Sequence, residues 1–92
     1  PDALLYRGLA LADLSRSQEA AETLAKASER LSADEVQKQL QIVHAQHRIG
    51  ELVAARITLG RVRSHNTEIP EVARLQSMLD MSFAHLSDPV KP

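Results

Sequence analysis

The chain has 92 residues, a net charge of −1 and no cysteine. That length makes one small domain, close to the lower limit for burying a respectable core. The missing thiols exclude disulfides, thiol catalysis and Cys-type zinc sites together, and the near-neutral balance points to neither nucleic acid nor an acidic membrane as partner.

The hydrophobic share is 43%, but Tyr6 and Phe83 are the only aromatic residues. The core must therefore be built of Leu, Ile, Val and Ala, which suits closely packed helices. Charge is banded: residues 36–66 carry five basic side chains and one acidic one, between acid-rich ends. No run approaches the ~18 apolar residues of a membrane span, and no signal peptide is visible. The opening Pro-Asp, without Met, leads us to expect a piece of a longer protein.

The first helix is expected over about 3–14, with Asp2 placed to cap its first turn. After the polar break Ser15-Arg16-Ser17, a second runs over about 18–31, capped by Ser17 or Ser15, with Glu19 and Glu22 near the positive end of its dipole. Ser32-Ala-Asp-Glu35 has the S-x-x-E form of a capping box and marks a boundary. The third helix, about 33–49, carries Val36, Leu40, Val43 and His47 on one stripe and stops at Gly50. The fourth spans about 52–64, with Ala55, Leu59 and Val62. His65-Asn66-Thr67 reads as a turn. Pro70 opens a last helix over about 69–86, with Val72, Leu75, Leu79, Phe83 and Leu86 at spacings of three and four. A frayed tail is expected over 89–92.

A shift of 35 residues lays the second helix pair on the first. Leu14-Ser15 falls on Ile49-Gly50, Ala20 on Ala55, Leu24 on Leu59 and Ala27 on Val62. Gly8 and Ala20 are small where two helices of one unit must cross closely. Leu4, Gly8, Leu11, Ala20 and Leu24 take the places of Trp, Gly, Tyr, Ala and Phe in W-x2-L-G-x2-Y and A-x3-F, the signature of a repeat of about 34 residues. The chain thus resembles the tetratricopeptide repeat (TPR) family. Arg7 departs from the signature Leu, and Val43 and Gln46 replace Gly8 and Leu11 in the second unit. A register 72 beyond the first unit places Leu14-Ser15 on Leu86-Ser87.

The resemblance implies an all-α fold: a right-handed superhelix of antiparallel helix pairs, with about five helices in one domain over 1–88. Repeat one would be 1–34, repeat two 35–70 and the terminal helix 69–87. It also implies a concave binding surface lined by the first helix of each pair. Carried over position by position, that surface takes Asp2, Leu5, Leu9, Ala12 and Asp13 from unit one. Unit two supplies Gln37, Leu40, His44, His47 and Arg48, and the last helix Arg74, Ser77, Met81, Ala84 and His85. Leu5, Leu9, Leu40 and Met81 would form an apolar floor, and His44, His47, Arg48 and His85 a basic edge. Such a groove suits a short helix or extended peptide with an acidic flank. A spacer segment of a longer superhelix, or self-association through exposed repeat ends, is the rival expectation. The chaperone-tail clamp of some TPR domains is not expected, because Leu5, Leu9, Gln37, Leu40 and Gln41 stand at its positions and cannot grip a carboxylate by charge. By analogy, the low aromatic content looks like bacterial TPR proteins of secretion, envelope assembly or regulation, in the cytoplasm or periplasm.

Other chemistries find little support. His44 and His47, spaced i, i+3, with Glu51 four beyond, lack a fourth metal ligand, so no metal or cofactor is expected. Charge tuning of the groove between about pH 5 and 8 is their more plausible role. Arg56, Arg61 and Arg63, with Arg48, have no aromatic residues interleaved, as a nucleic-acid surface would want. No Gly-rich loop, nucleophile elbow or paired carboxylate frames the Ser, His and Asp residues, so an enzyme is not expected.

Overall fold

A computed structural model describes residues 2–32, 34–64 and 69–87, with the backbone alone for Leu86 and Ser87. The expected turn at His65-Asn66-Thr67 and the tail over 89–92 lie outside these residues. The described residues form five α-helices and no strand: α1 (Asp2–Asp13), α2 (Ser17–Arg30), α3 (Val36–Arg48), α4 (Leu52–Arg63) and α5 (Pro70–Ser87). No helix among them is long and apolar enough to cross a membrane.

The 35-residue repetition extends into the backbone. At the end of α1 the Arg16 N–H donates to the Leu11 carbonyl (3.0 Å) and the Ser15 N–H to Ala12 (3.1 Å). At the end of α3 the Glu51 N–H donates to Gln46 (2.8 Å) and the Gly50 N–H to His47 (3.1 Å). Each partner lies 35 residues beyond its counterpart. Both are Schellman closures, which satisfy the orphan carbonyls of a helix end and need a left-handed residue. Ser15 (φ 60°) and Gly50 (φ 83°) supply it. The residues entering α2 and α4 match as well, Arg16 at φ −89°, ψ 70° and Glu51 at φ −85°, ψ 68°.

Three helix starts differ from the sequence expectation. Asp2 is the first residue of α1 itself, and Arg16, without a side-chain capping bond, precedes α2. At 32–35 only half of the capping box forms. The Ser32 N–H donates to Glu35 Oε2 (3.0 Å), but the Ser32 hydroxyl accepts from Asp34 N–H (3.1 Å) in a tight local turn. The third helix therefore starts at Val36, three residues later than expected.

Two exposed ion pairs show how the helix pairs sit. Lys38 Nζ reaches Asp2 Oδ1 at 2.8 Å, and Arg48 Nη2 reaches Asp13 Oδ1 at 2.7 Å. They join the starts of α1 and α3 and the ends of α1 and α3, so the two helices run side by side in the same direction. Across the other layer, Arg61 of α4 donates to the Ser28 hydroxyl (3.0 Å) and carbonyl (2.9 Å) of α2. The array is a slab whose backbone extends 47 × 33 × 16 Å.

Its two cores meet at α3. Ile42 and Ala45 face a first cluster with Leu5, Leu11, Ala20, Leu24 and Ala27. Leu40 and Val43 face a second with Ala55, Leu59, Val62, Val72, Leu75 and Leu79. A helix packed on two sides needs a wider buried surface than one stripe, which is why Gln39 and Gln46 are also buried. Buried amides must find partners. Gln39 Nε2 donates to the carbonyls of Ser28 (3.1 Å) and Leu31 (3.2 Å) at the end of α2. Gln46 Oε1 lies 3.0 Å from the Thr58 hydroxyl of α4.

The close crossing expected at Gly8 is present: a Cβ there would lie 2.7 Å from Leu24 Cδ2 and 2.9 Å from its Cγ. The register of the last helix differs by one residue. A shift of 72 would bring exposed Asp80 to the place of Gly8, whereas 71 brings Leu79, buried like Gly8 and Val43.

Candidate functional site

Helical spacing leaves one row of α3 uncovered: Gln37, Gln41, His44 and Arg48 are all exposed. The row 35 residues earlier on α1 is Asp2, Tyr6, Leu9 and Asp13, exposed except for half-buried Leu9. The residues uncovered beside α3 on α5 include Arg74, Met81 and His85. These three helices supply the face on which the sequence places recognition.

Two of its expected floor residues are not surface. Leu5 and Leu40 are each 1% exposed, Leu5 in the first core and Leu40 in the second. A helix packed on a neighbour on two sides leaves too narrow an open row to include them. Ala12 is buried as well. Leu9 stays half-buried against the first core, and Met81 is 73% exposed. Two residues that the sequence reading left off this face, Tyr6 and Gln41, are exposed on it. Tyr6 is 64% exposed and stands 35 residues before exposed Gln41, so the repeat spacing itself was the available signal.

The basic edge is also narrower than expected. Arg48 is engaged by Asp13, and the Asp2–Lys38 pair spans the other end of the α1–α3 seam. Glu35 lies 3.5 Å from the same ammonium. Hydrogen bonding from Lys38, with its charge, holds the Asp2 carboxyl below its ordinary range. The bond to Asp2 holds the Lys38 ammonium above its own, with Glu35 adding to the effect. Acids of α1 and bases of α3 thus offset one another along this seam.

The α3–α5 seam is more open. On α5, Glu71, Arg74, Met78, Met81 and His85 recur at spacings of three and four, which places them on one side of the helix. Glu71, Arg74, Leu75 and Met78 line a depression of about 240 Å³ with His44. Met81, Ser82 and His85 line one of about 600 Å³ with His47, Gly50 and Leu52. Apolar floor and imidazole rim therefore do occur together, but between α3 and α5.

His44 is exposed, whereas His47 is half-buried with Nε2 2.9 Å from Ser82 Oγ. The two do not act as a pair with Glu51: among the described residues no three His, Cys, Asp or Glu side chains gather as a metal site. The arginines of α4 are engaged within the fold. Arg56 stacks 5.0 Å from the Phe83 ring centroid, Arg61 binds Ser28, and Arg63 donates to Gln76 Oε1 at 3.1 Å.

No family description, curated protein or solved structure matches this chain.

Proposed function

We propose that the chain is a TPR-like array, a right-handed superhelix of helix pairs, acting as a non-enzymatic interaction module within a larger scaffold or adaptor. Its ligand is a peptide or helix bound on the α1–α3–α5 face. One observation carries the reading: the 35-residue repetition reaches the hydrogen bonds and left-handed residues closing α1 and α3. Repetition at that level stacks equivalent helices in parallel and gives the face its uncovered rows. Within it, the α3–α5 seam is the contact surface, with Met78, Met81 and Leu52 as apolar elements and His44, Arg74 and His85 at the rim. Gln37, Gln41 and Tyr6 extend it toward α1.

A spacer role is favoured by one feature. Tyr6 of α1 and Leu14 just after it are exposed at 64% and 68%, a surface that an adjoining unit would cover. Affinity capture from the source cell's lysate separates the two readings, using the chain beside a His44→Glu, Met81→Glu double variant. Interaction on the seam predicts a partner held by the parent and lost by the variant, with helicity unchanged by circular dichroism. Equal capture by both moves recognition off the seam, and capture by neither favours the spacer.

A further inference from the structure

The two depressions of the α3–α5 seam are in register with one another. On α5, Arg74, Leu75 and Met78 line the one of about 240 Å³, and Met81, Ser82 and His85 the one of about 600 Å³. Arg74 and Met81, Leu75 and Ser82, and Met78 and His85 are each seven residues apart. At a rise of 1.5 Å per residue that is about 10 Å along the helix, with a drift of only about 20° around it. The order is the same on the α3 side, His44 at the first depression and His47, Gly50 and Leu52 at the second. Resting on the recognition surface assigned above, we propose that its partner is an amphipathic α-helix with apolar anchors at i and i+7 and acidic residues beside them.

Spacing and side-chain chemistry both select a helix. Residues i and i+7 of a helical partner also lie about 10 Å apart on nearly one face, so both anchors seat together. In an extended strand the same distance is about three residues, whose side chains point to opposite faces. A polyproline segment spans it in about three residues on one face, but such ligands dock in aromatic-lined grooves. Tyr6 and Phe83 are the only aromatic residues of the chain, and neither lines a depression. Half-buried Met78 and exposed Met81 line the seam instead. Unbranched thioethers adapt to the irregular surface of a helix, and apolar grooves of this kind take helix faces.

Charge sets the flanks of the partner. Arg74 and His44 are exposed, and neither side chain enters an ion pair or hydrogen bond among the described residues. Glu71 is the one acid among the lining residues, at the first depression. Against it stand the Arg74 guanidinium and the imidazoles of His44, His47 and His85, which add positive charge as pH falls. The rim therefore favours carboxylates on the partner.

The test uses two Ala-rich helical peptides of identical composition. One carries Leu at i and i+7, the other has the second Leu moved to the opposite face, and both carry Glu beside the leucines. A polyproline peptide with Leu at i and i+3 is the third probe. Each is titrated into the 13C-methyl-methionine-labelled chain and followed by NMR. The i, i+7 peptide should move the Met78 and Met81 methyl signals and bind about tenfold or more tightly than its isomer, the worth of one buried Leu anchor. Arg74→Gln should weaken its binding by about two- to fivefold at low salt, with helicity unchanged by circular dichroism. Equal affinity for the two helical isomers, or tighter binding of the polyproline peptide, overturns the helix as partner, while the methyl shifts still mark the seam as the recognition surface. Binding by Arg74→Gln equal to the parent's overturns the acidic flank. Methyl signals unmoved by all three peptides overturn the seam assignment together with the helix.

Discussion

Replacing Gly8 by Ala tests the close crossing of α1 and α2 with a single carbon atom. In an open helix the change stabilises, because Ala exceeds Gly by about 0.8–1.0 kcal/mol in helix propensity. At Gly8 the new Cβ meets Leu24 at 2.7 and 2.9 Å, and its backbone nitrogen at 3.4 Å. Cδ2 can swing aside, but Cγ moves only with the whole side chain. Leu24 is fully buried among Leu5, Ala20 and Ala27. Forcing an extra carbon into such a core costs about 1–3 kcal/mol. Overpacking therefore wins, and Gly8→Ala should destabilise by about 1 kcal/mol net of the propensity gain. Gly60 of α4 is the internal control: a Cβ there meets nothing within 4 Å. Gly60→Ala should stabilise by about 0.8–1.0 kcal/mol. In a domain of this size, each kcal/mol moves the thermal midpoint by about 4–8 °C. Urea and thermal unfolding followed at 222 nm should place the two variants on opposite sides of the parent. Gly8→Ala as stabilising as Gly60→Ala would refute the close crossing.

Further outcomes follow from the turns, the buried amides and the ion pairs. Ser15→Gly should stabilise by about 1 kcal/mol, because a side chain in the left-handed region costs roughly 1–2 kcal/mol; Gly50→Ala should destabilise by a similar amount, both read by urea unfolding. Gln39→Leu should cost about 1–3 kcal/mol by leaving the Leu31 carbonyl without its buried donor, while the Ser28 carbonyl keeps its bond from Arg61, measured the same way. For Asp2 and Lys38 the signs are opposite. Asp2, held low, contributes stability present above its unfolded value and lost as pH falls through its folded one; Lys38, held high, contributes stability lost as pH rises through its folded value. NMR titration should find the Asp2 carboxyl returning toward its ordinary value in Lys38→Ala.

Much of the fold was legible because it rests on local spacing. Ala20, Leu24 and Ala27, with their partners Ala55, Leu59 and Val62, are all fully buried where the repeat placed them. Gly50 takes the left-handed turn as expected, and Pro70 opens α5. Helix starts were less legible, since a Ser before a helix competes with other local hydrogen bonds, as Ser32 does with Asp34. The candidate surface was legible only in part. A repeat position names the helix face, but how far that face is buried depends on both neighbours. Leu5 and Leu40 went into the cores for that reason, and Arg48 went to Asp13, a pairing between equivalent positions 35 residues apart. The open seam between α3 and α5 depends on the packing of the last helix, which spacing alone placed one residue away.

The central claim is that recognition occupies the α1–α3–α5 face, centred on the α3–α5 seam. Its most direct test is NMR mapping of the labelled chain against the partner captured from lysate, read at the Met81 methyl, the Gln37 and Gln41 side-chain amides and the His44 ring. Shifts concentrated at these groups, with Ala25, Ile57 and other residues on the α2–α4 side unmoved, are the predicted result. Shifts confined to the α2–α4 side would contradict it.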